Sequence, residues 1–170
     1  MAKLYHHRVK LRQAQLFTAL HHRHSKPLKR HMFTIGAHTE DGVRQGLITL
    51  DNCSSAWSKV ESLVEIRRLV VRPDADPNTA SFLLGKAKQA CFAMGFIGIV
   101  SYTKGYESGA SMKAAGFYAD KIKGSAFVDG RVETLVRWGC IEGSNPDAEK
   151  REQTERLLAS IKDFIAENTA

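Results

Sequence analysis

Acidic residues are missing from the first part of this chain; the first is Glu40. Residues 1–39 hold eight basic side chains: Lys3, Arg8, Lys10, Arg12, Arg23, Lys26, Lys29 and Arg30. They are eight of 25, which leaves 17 basic against 18 acidic residues in the rest of the chain, so the entire excess behind the formal charge of +7 is N-terminal. Two readings stay open: a polyanionic partner, most often nucleic acid, or a solvated basic face. Cysteine is scarce. Cys53, Cys91 and Cys140 are widely spaced and form no CxxC pair, which excludes a disulfide framework and points to reduced thiols in a cytoplasmic compartment. No run of about 18 apolar residues exists, so no membrane span is expected. The start, Met1-Ala-Lys-Leu-Tyr-His-His, lacks the apolar stretch of a signal peptide. Repeats, low-complexity tracts and long linkers are absent too. With 170 residues, 43% hydrophobic and 25% charged, the composition fits one compact domain over residues 1–170.

Periodicity places the elements. Residues 4–10 read as a first strand. Leu11 to about Arg23 reads as a helix, with Ala14, Phe17, His21 and His24 on one face, and Pro27 ends it. His31–Gly36 and Val43–Leu50 form a hairpin around Asp41-Gly42. Residues 54–61 are ambiguous. Leu63–Val71 is a strand rich in β-branched residues, stopped by Pro73. Asn78 is the expected side-chain cap of a helix whose stripe is Leu83, Ala87, Ala90, Cys91 and Met94, with Gly95 as its stop. Phe96–Tyr102 is an apolar strand, so strand, helix and strand predict a parallel crossover. A loop over 105–109, a short helix over 110–115, strands opening at Gly116 and over 132–138, and a helix begun at Asn145-Pro146 complete the chain. The last helix, about 145–168, carries Leu157, Leu158, Ile161, Phe164 and Ile165 on the face expected to dock. Trp57 and Trp138 are expected to pack. The class is α/β with a mixed sheet.

Glu65-Ile-Arg-Arg-Leu-Val-Val-Arg-Pro73 resembles the central strand of the GNAT acyltransferase fold, and Ala114-Ala-Gly-Phe117 its later helix-to-strand turn. That resemblance spans about residues 8–138. A narrower likeness rests on five segments in order: His21–Pro27, His31–Gly36, Pro77–Phe82 with its Asn-x-x-Ser element, Ser101-Tyr-Thr103, and Glu107–Ser111 with Ala114–Phe117. These are similar to small, often phage-borne GNAT-like proteins related to the Mom proteins, which modify adenine in phage DNA. The resemblance implies a bacterial cytoplasm carrying phage or prophage. Two departures stand out. Such folds follow the central strand with a glycine-rich loop whose N–H groups cradle the pyrophosphate of acetyl-CoA. Here the stretch is Asp74-Ala-Asp-Pro-Asn-Thr-Ala-Ser81, with no glycine and two acids. A Tyr common four residues before the Gly-Phe turn is Met112, which cannot donate a proton.

Candidate site residues follow. His21, His22 and His24 are imidazoles suited to managing an amine's proton. His21 and His24, at i and i+3, are alternatively a two-ligand transition-metal site, or the whole run is a solvated basic helix end. Ser81, Tyr102 and Glu107 complete the candidate catalytic set. The resemblance places Val70, Val71, Asn78, Ser81 and Ser111 at the acyl donor, whose identity stays open, with acetyl-CoA one choice. Arg23, Lys26, Lys29, Arg30 and His31 are the expected nucleic-acid contacts. The reading that follows is a transferase acting on a nucleic-acid base, the exocyclic amine of adenine in DNA. The alternatives are an acyl-CoA-dependent N-acyltransferase acting on a small-molecule or protein amine, and a non-enzymatic nucleic-acid-binding module. The sequence leaves the oligomeric state open.

Overall fold

The computed structural model describes residues 1–21, 26–54, 62–128, 131–143 and 145–169, with the backbone alone for 123–128, 131–133 and 168–169. His22, Arg23, His24 and Trp57 lie outside the described residues. Among those described are seven strands and four helices of a mixed α/β class. They form two compact units, residues 1–99 and 100–170.

The first unit contains β1 (Tyr5–Arg8), α1 (Leu11–His21), β2 (Phe33–His38), β3 (Arg44–Asn52), β4 (Leu63–Val71) and α2 (Thr79–Ala93). Strands β1 to β4 pair in chain order, each antiparallel to the next. The run Leu47-Ile-Thr-Leu50 is buried throughout, as a strand covered on both faces requires. Val9, Ala14, Leu47 and Val70 form one core cluster, with Phe17 packed against it. The α1 stripe read from Ala14 and Phe17 is therefore the face that docks. Helix α2 buries Leu83, Leu84, Ala87 and Cys91 and packs on β2, β3 and β4. Each fully buried leucine is worth about 1.5–3 kcal/mol against exposure. Burial pushes the Cys91 thiol up to about 12, so it stays protonated and inert.

Several boundaries differ from the expectation. Strand β2 starts two residues late, leaving His31 ahead of it. Met94 is 56% exposed, because the helix has already ended at Ala93. Gly95 follows at φ +91°, and the Phe96 N–H still bonds back to the Cys91 carbonyl. Strand β5 is thereby delayed to Gly98–Lys104. The side chain of Asn78 does not cap α2. Asp76 does that work from two residues earlier: its Oδ1 accepts the Asn78 N–H at 3.0 Å and its carbonyl the Thr79 N–H at 2.9 Å.

Strand β5 begins in the first unit and runs into the second, which adds α3 (Ala110–Ala114), β6 (Tyr118–Val128), β7 (Arg131–Ile141) and α4 (Ala148–Thr169). Strands β6 and β7 form a long antiparallel hairpin, with register shifts at Ala119/Lys121 and Lys123/Ser125. Helix α4 docks on both strands through buried Leu158 and Ile161, as its apolar face predicts. Phe164 departs from that face and is 38% exposed. Thr154, buried on the same helix, accepts the Ala119 N–H at 3.0 Å. Among the described residues no helix is long and apolar enough to cross a membrane.

Candidate functional site

In the first unit, the candidate residues gather where β4 ends and α2 begins. Val70 lies in the core cluster, while Val71 beside it is half-buried and pairs with Gly46. Gly46 is obligatory: a Cβ there would lie 2.7 Å from the Val70 carbonyl oxygen and 3.1 Å from Thr79 Cγ2. The turn that follows is knitted by its own acids. Arg72 donates to Asp74 through Nε at 2.7 Å and Nη2 at 2.8 Å. Those bonds hold the Asp74 carboxyl below its usual range, with His21 acting in the same direction. Asp76 is lowered as well, by the N–H groups of Asn78 and Ala2. The Ser81 hydroxyl, expected to hold donor or base, donates to the Asn78 carbonyl at 3.0 Å. His21 is half-buried with its ring 4.5 Å from that of Phe17.

The expected nucleic-acid contacts are dispersed in role. Lys26 and Lys29 are exposed. The Lys26 carbonyl accepts Arg68 Nε and Nη2, at 3.1 and 2.8 Å. Arg30 pairs with the buried Asp51 at 3.2 Å. His31 is half-buried and shares a hydrogen bond with Thr34 Oγ1 at 2.7 Å. Among the described residues no three His, Cys, Asp or Glu side chains converge, and His24 of the His21–His24 pair lies outside those residues.

The sequence reading missed a second histidine group. All seven histidines lie within residues 6–38. Register brings His7 opposite Gly36, and His38 opposite both Tyr5 and Arg44. His7 Nδ1 and His38 Nδ1 are 2.9 Å apart, and Arg44 Nη2 is 3.1 Å from His7 Nε2. A guanidinium only donates, so His7 Nε2 accepts and His7 Nδ1 carries the proton that it gives to His38. The His7 ring is neutral in this chain of bonds. Burial, then Arg44, His38 and His6, lowers the pKa of His7. His31 is lowered by burial and Arg8, against Asp51. Two histidines that resist protonation when folded but not when unfolded make the folded state bind fewer protons. Their stabilisation is complete above the unfolded value of about 6.5 and is lost as pH falls through the folded values. The urea midpoint is expected to drop between pH 7.5 and 5.5, and to drop less for His7→Gln. An equal drop in both proteins would contradict this account.

In the second unit, the loop after β5 collects the other candidates. Glu107 Oε2 accepts the Lys104 N–H at 2.7 Å, which closes the loop on itself. Tyr102 is half-buried on β5, Ser111 is half-buried on α3 and Tyr106 is exposed. Met112 is buried in the core. The loop is held from below by Trp138, fully buried, whose Nε1 donates to Thr103 Oγ1 at 2.9 Å. Gly109, at φ +65°, packs so closely against the Trp138 ring that a Cβ there would overlap it. A further group had no sequence signal. Arg137 is gripped by Asp120 through two bonds of 2.8 and 2.7 Å, which raise its pKa, and Tyr102 and Tyr118 are close enough to add to that shift.

No protein-family model matches the chain, and no curated protein does. Solved structures do match. The ribosomal-protein-S18-alanine N-acetyltransferase of Escherichia coli superposes with a TM-score of 0.64 at 10% identity, covering 86% of this chain and 98% of that one. A Bacillus subtilis acetyltransferase in complex with CoA gives 0.61 at 17% identity, covering 82% and 99%. A GNAT superfamily phosphinothricin acetyltransferase from Sinorhizobium meliloti, in complex with acetyl-CoA, gives 0.56 at 20% identity, covering 72% and 69%. The chain therefore has the fold of the GNAT acetyltransferases. At these identities the likeness is one of architecture.

Proposed function

We propose that this chain is an N-acyltransferase, moving an acyl group from a thioester of the coenzyme A type to an amine of a small molecule or a protein. The observation that carries the proposal is the fold, shared with structures named for amine acetylation and holding CoA or acetyl-CoA. In such a reaction the amine nitrogen attacks the thioester carbonyl carbon, the C–N bond forms and the C–S bond breaks. The amine gives up one proton and the departing thiolate takes one up. For the second transfer we assign the Tyr102 hydroxyl, which replaces the donor that Met112 cannot be. For the first we assign the Glu107 carboxylate, fixed by the Lys104 N–H.

The exposed Lys26 and Lys29 favour a second reading, in which the acceptor amine belongs to a nucleic-acid base such as adenine in DNA. The comparisons lend base modification no support, and the amine acceptor of the first reading needs no extruded base. The test is thiol release from acetyl-CoA and acetyl-pantetheine with a panel of polyamines, amino acids and N-terminal peptides. Release that depends on the amine is expected. Tyr102→Phe is expected to lower kcat about 100-fold with KM little changed, the usual scale of a lost general acid. Release with no amine in the panel would overturn the proposal, as would a Tyr102→Phe protein with full kcat for its assignment.

A further inference from the structure

We infer that the acyl donor is recognised by its thioester-bearing pantetheine arm and not by its nucleotide, because the turn between β4 and α2 is closed to a pyrophosphate. The inference rests on the acyltransferase reading above. A phosphate held at a helix start needs backbone N–H groups that point outward and a nearby cation. Positions 73–82 have eight N–H groups, and four of them are spent within the turn, leaving those of Asp74, Asp76, Ala80 and Ser81. Pro73 and Pro77 have no N–H. The N–H of Ala75 goes to the Arg72 carbonyl, those of Asn78 and Thr79 to Asp76, and that of Phe82 to the Asn78 carbonyl. The Thr79 hydroxyl has no partner among the described residues, but Thr79 is fully buried under the turn and presents it to nothing outside.

The cation is also engaged. Arg72 is the basic side chain of this turn, and both bonds of its fork go to Asp74. Asp76 meanwhile places its own carboxylate against the start of α2, where a bound anion would sit. An open groove of about 530 Å³ beside the turn carries three acids, Glu40, Asp41 and Asp74, against Lys3 and Arg72. A nucleotide bearing several phosphate charges would enter a groove of its own sign, with the one guanidinium at the turn already paired. The amide and alkyl arm of the donor carries no charge and loses nothing to this arrangement.

The arm has two sources, the free coenzyme and a carrier protein that bears it, and both are assayed. The experiment compares kcat/KM for acetyl-CoA, acetyl-pantetheine and an acetylated carrier protein. It adds calorimetric titration of the protein with 3′,5′-ADP. Acetyl-CoA and acetyl-pantetheine within about threefold of each other are expected, with no heat from 3′,5′-ADP at millimolar concentration. A carrier-protein value well above both would identify the carrier as the source of the arm and support the inference. A 100-fold loss on truncation to pantetheine, or micromolar 3′,5′-ADP binding, would overturn it and leave the acyltransferase reading standing. If no donor turns over, that reading fails, and the calorimetry alone decides this inference. Asp74→Asn releases Arg72 and is expected to create measurable 3′,5′-ADP binding. No gain in that variant would overturn the role given to the acids.

Discussion

Gly109→Ala is expected to cost the second unit about 2–5 kcal/mol, at its upper end the whole stability of a marginal domain. Two effects add. Gly109 sits at φ +65°, where an L side chain costs about 1–2 kcal/mol. The new Cβ would also overlap Trp138 Cζ2 and fall 2.6 Å from Cη2. That ring cannot retreat, because Trp138 is fully buried and its Nε1 is tied to Thr103. Overpacking of a rigid core costs about 1–3 kcal/mol. Urea unfolding measures the loss. Trp138→Leu in the Gly109→Ala background removes the overlap but not the backbone cost, so the double variant is expected to be less damaged than the two single changes summed. Strict additivity, or a Gly109→Ala midpoint within about 1 kcal/mol of the parent, would contradict the packing described.

Gly46→Ala is the second large effect, and it falls where the proposed donor site would lie. Its Cβ would meet a backbone atom, the Val70 carbonyl oxygen at 2.7 Å, together with Thr79 and Leu83 of α2. A flexible side chain can swing away, but a paired strand cannot. Relief requires β3 and β4 to part at Val71, or α2 to shift with the turn that starts it. A loss of about 2–4 kcal/mol is expected, with a fall in acyl transfer that exceeds the loss of folded protein at assay temperature. Gly42→Ala is the control. It has φ +82° and nothing within 4 Å, so only the backbone cost of about 1–2 kcal/mol applies and activity is kept. Equal effects from the two substitutions would show that the contact at Val70 is not the cause.

The parts of the fold legible in the sequence are those whose signal is local. Leu63–Val71 has the bounds read from its β-branched run, and α2 begins one residue after the expected Asn78. The C-terminal helix docks by the leucine and isoleucine that its periodicity marked. What the sequence hid depends on register or on competition between neighbours. His7, His38 and Arg44 meet only once three strands are aligned, and Asp120 reaches Arg137 only across a hairpin with a register shift. Asp76 and Asn78 are both good cap residues, and spacing alone cannot say which carboxylate or amide wins. The N-terminal charge was legible as a number, and its described members, Lys3, Arg8, Lys10, Arg12, Lys26, Lys29 and Arg30, are all exposed. Arg30 is drawn to Asp51, and His31 to Thr34.

The central claim is that the acceptor is an ordinary amine and the reaction an acyl transfer. The most direct measurement supplies the protein with a ¹⁴C-acetyl thioester in one tube with spermidine, a peptide bearing a free N-terminus, and duplex DNA. The products are then separated after digestion of the DNA to nucleosides. Label in spermidine or the peptide and none in any nucleoside is the result predicted. Label in adenosine-derived nucleosides, with both amines untouched, would contradict the account and return the basic N-terminal segment to the role of a nucleic-acid surface.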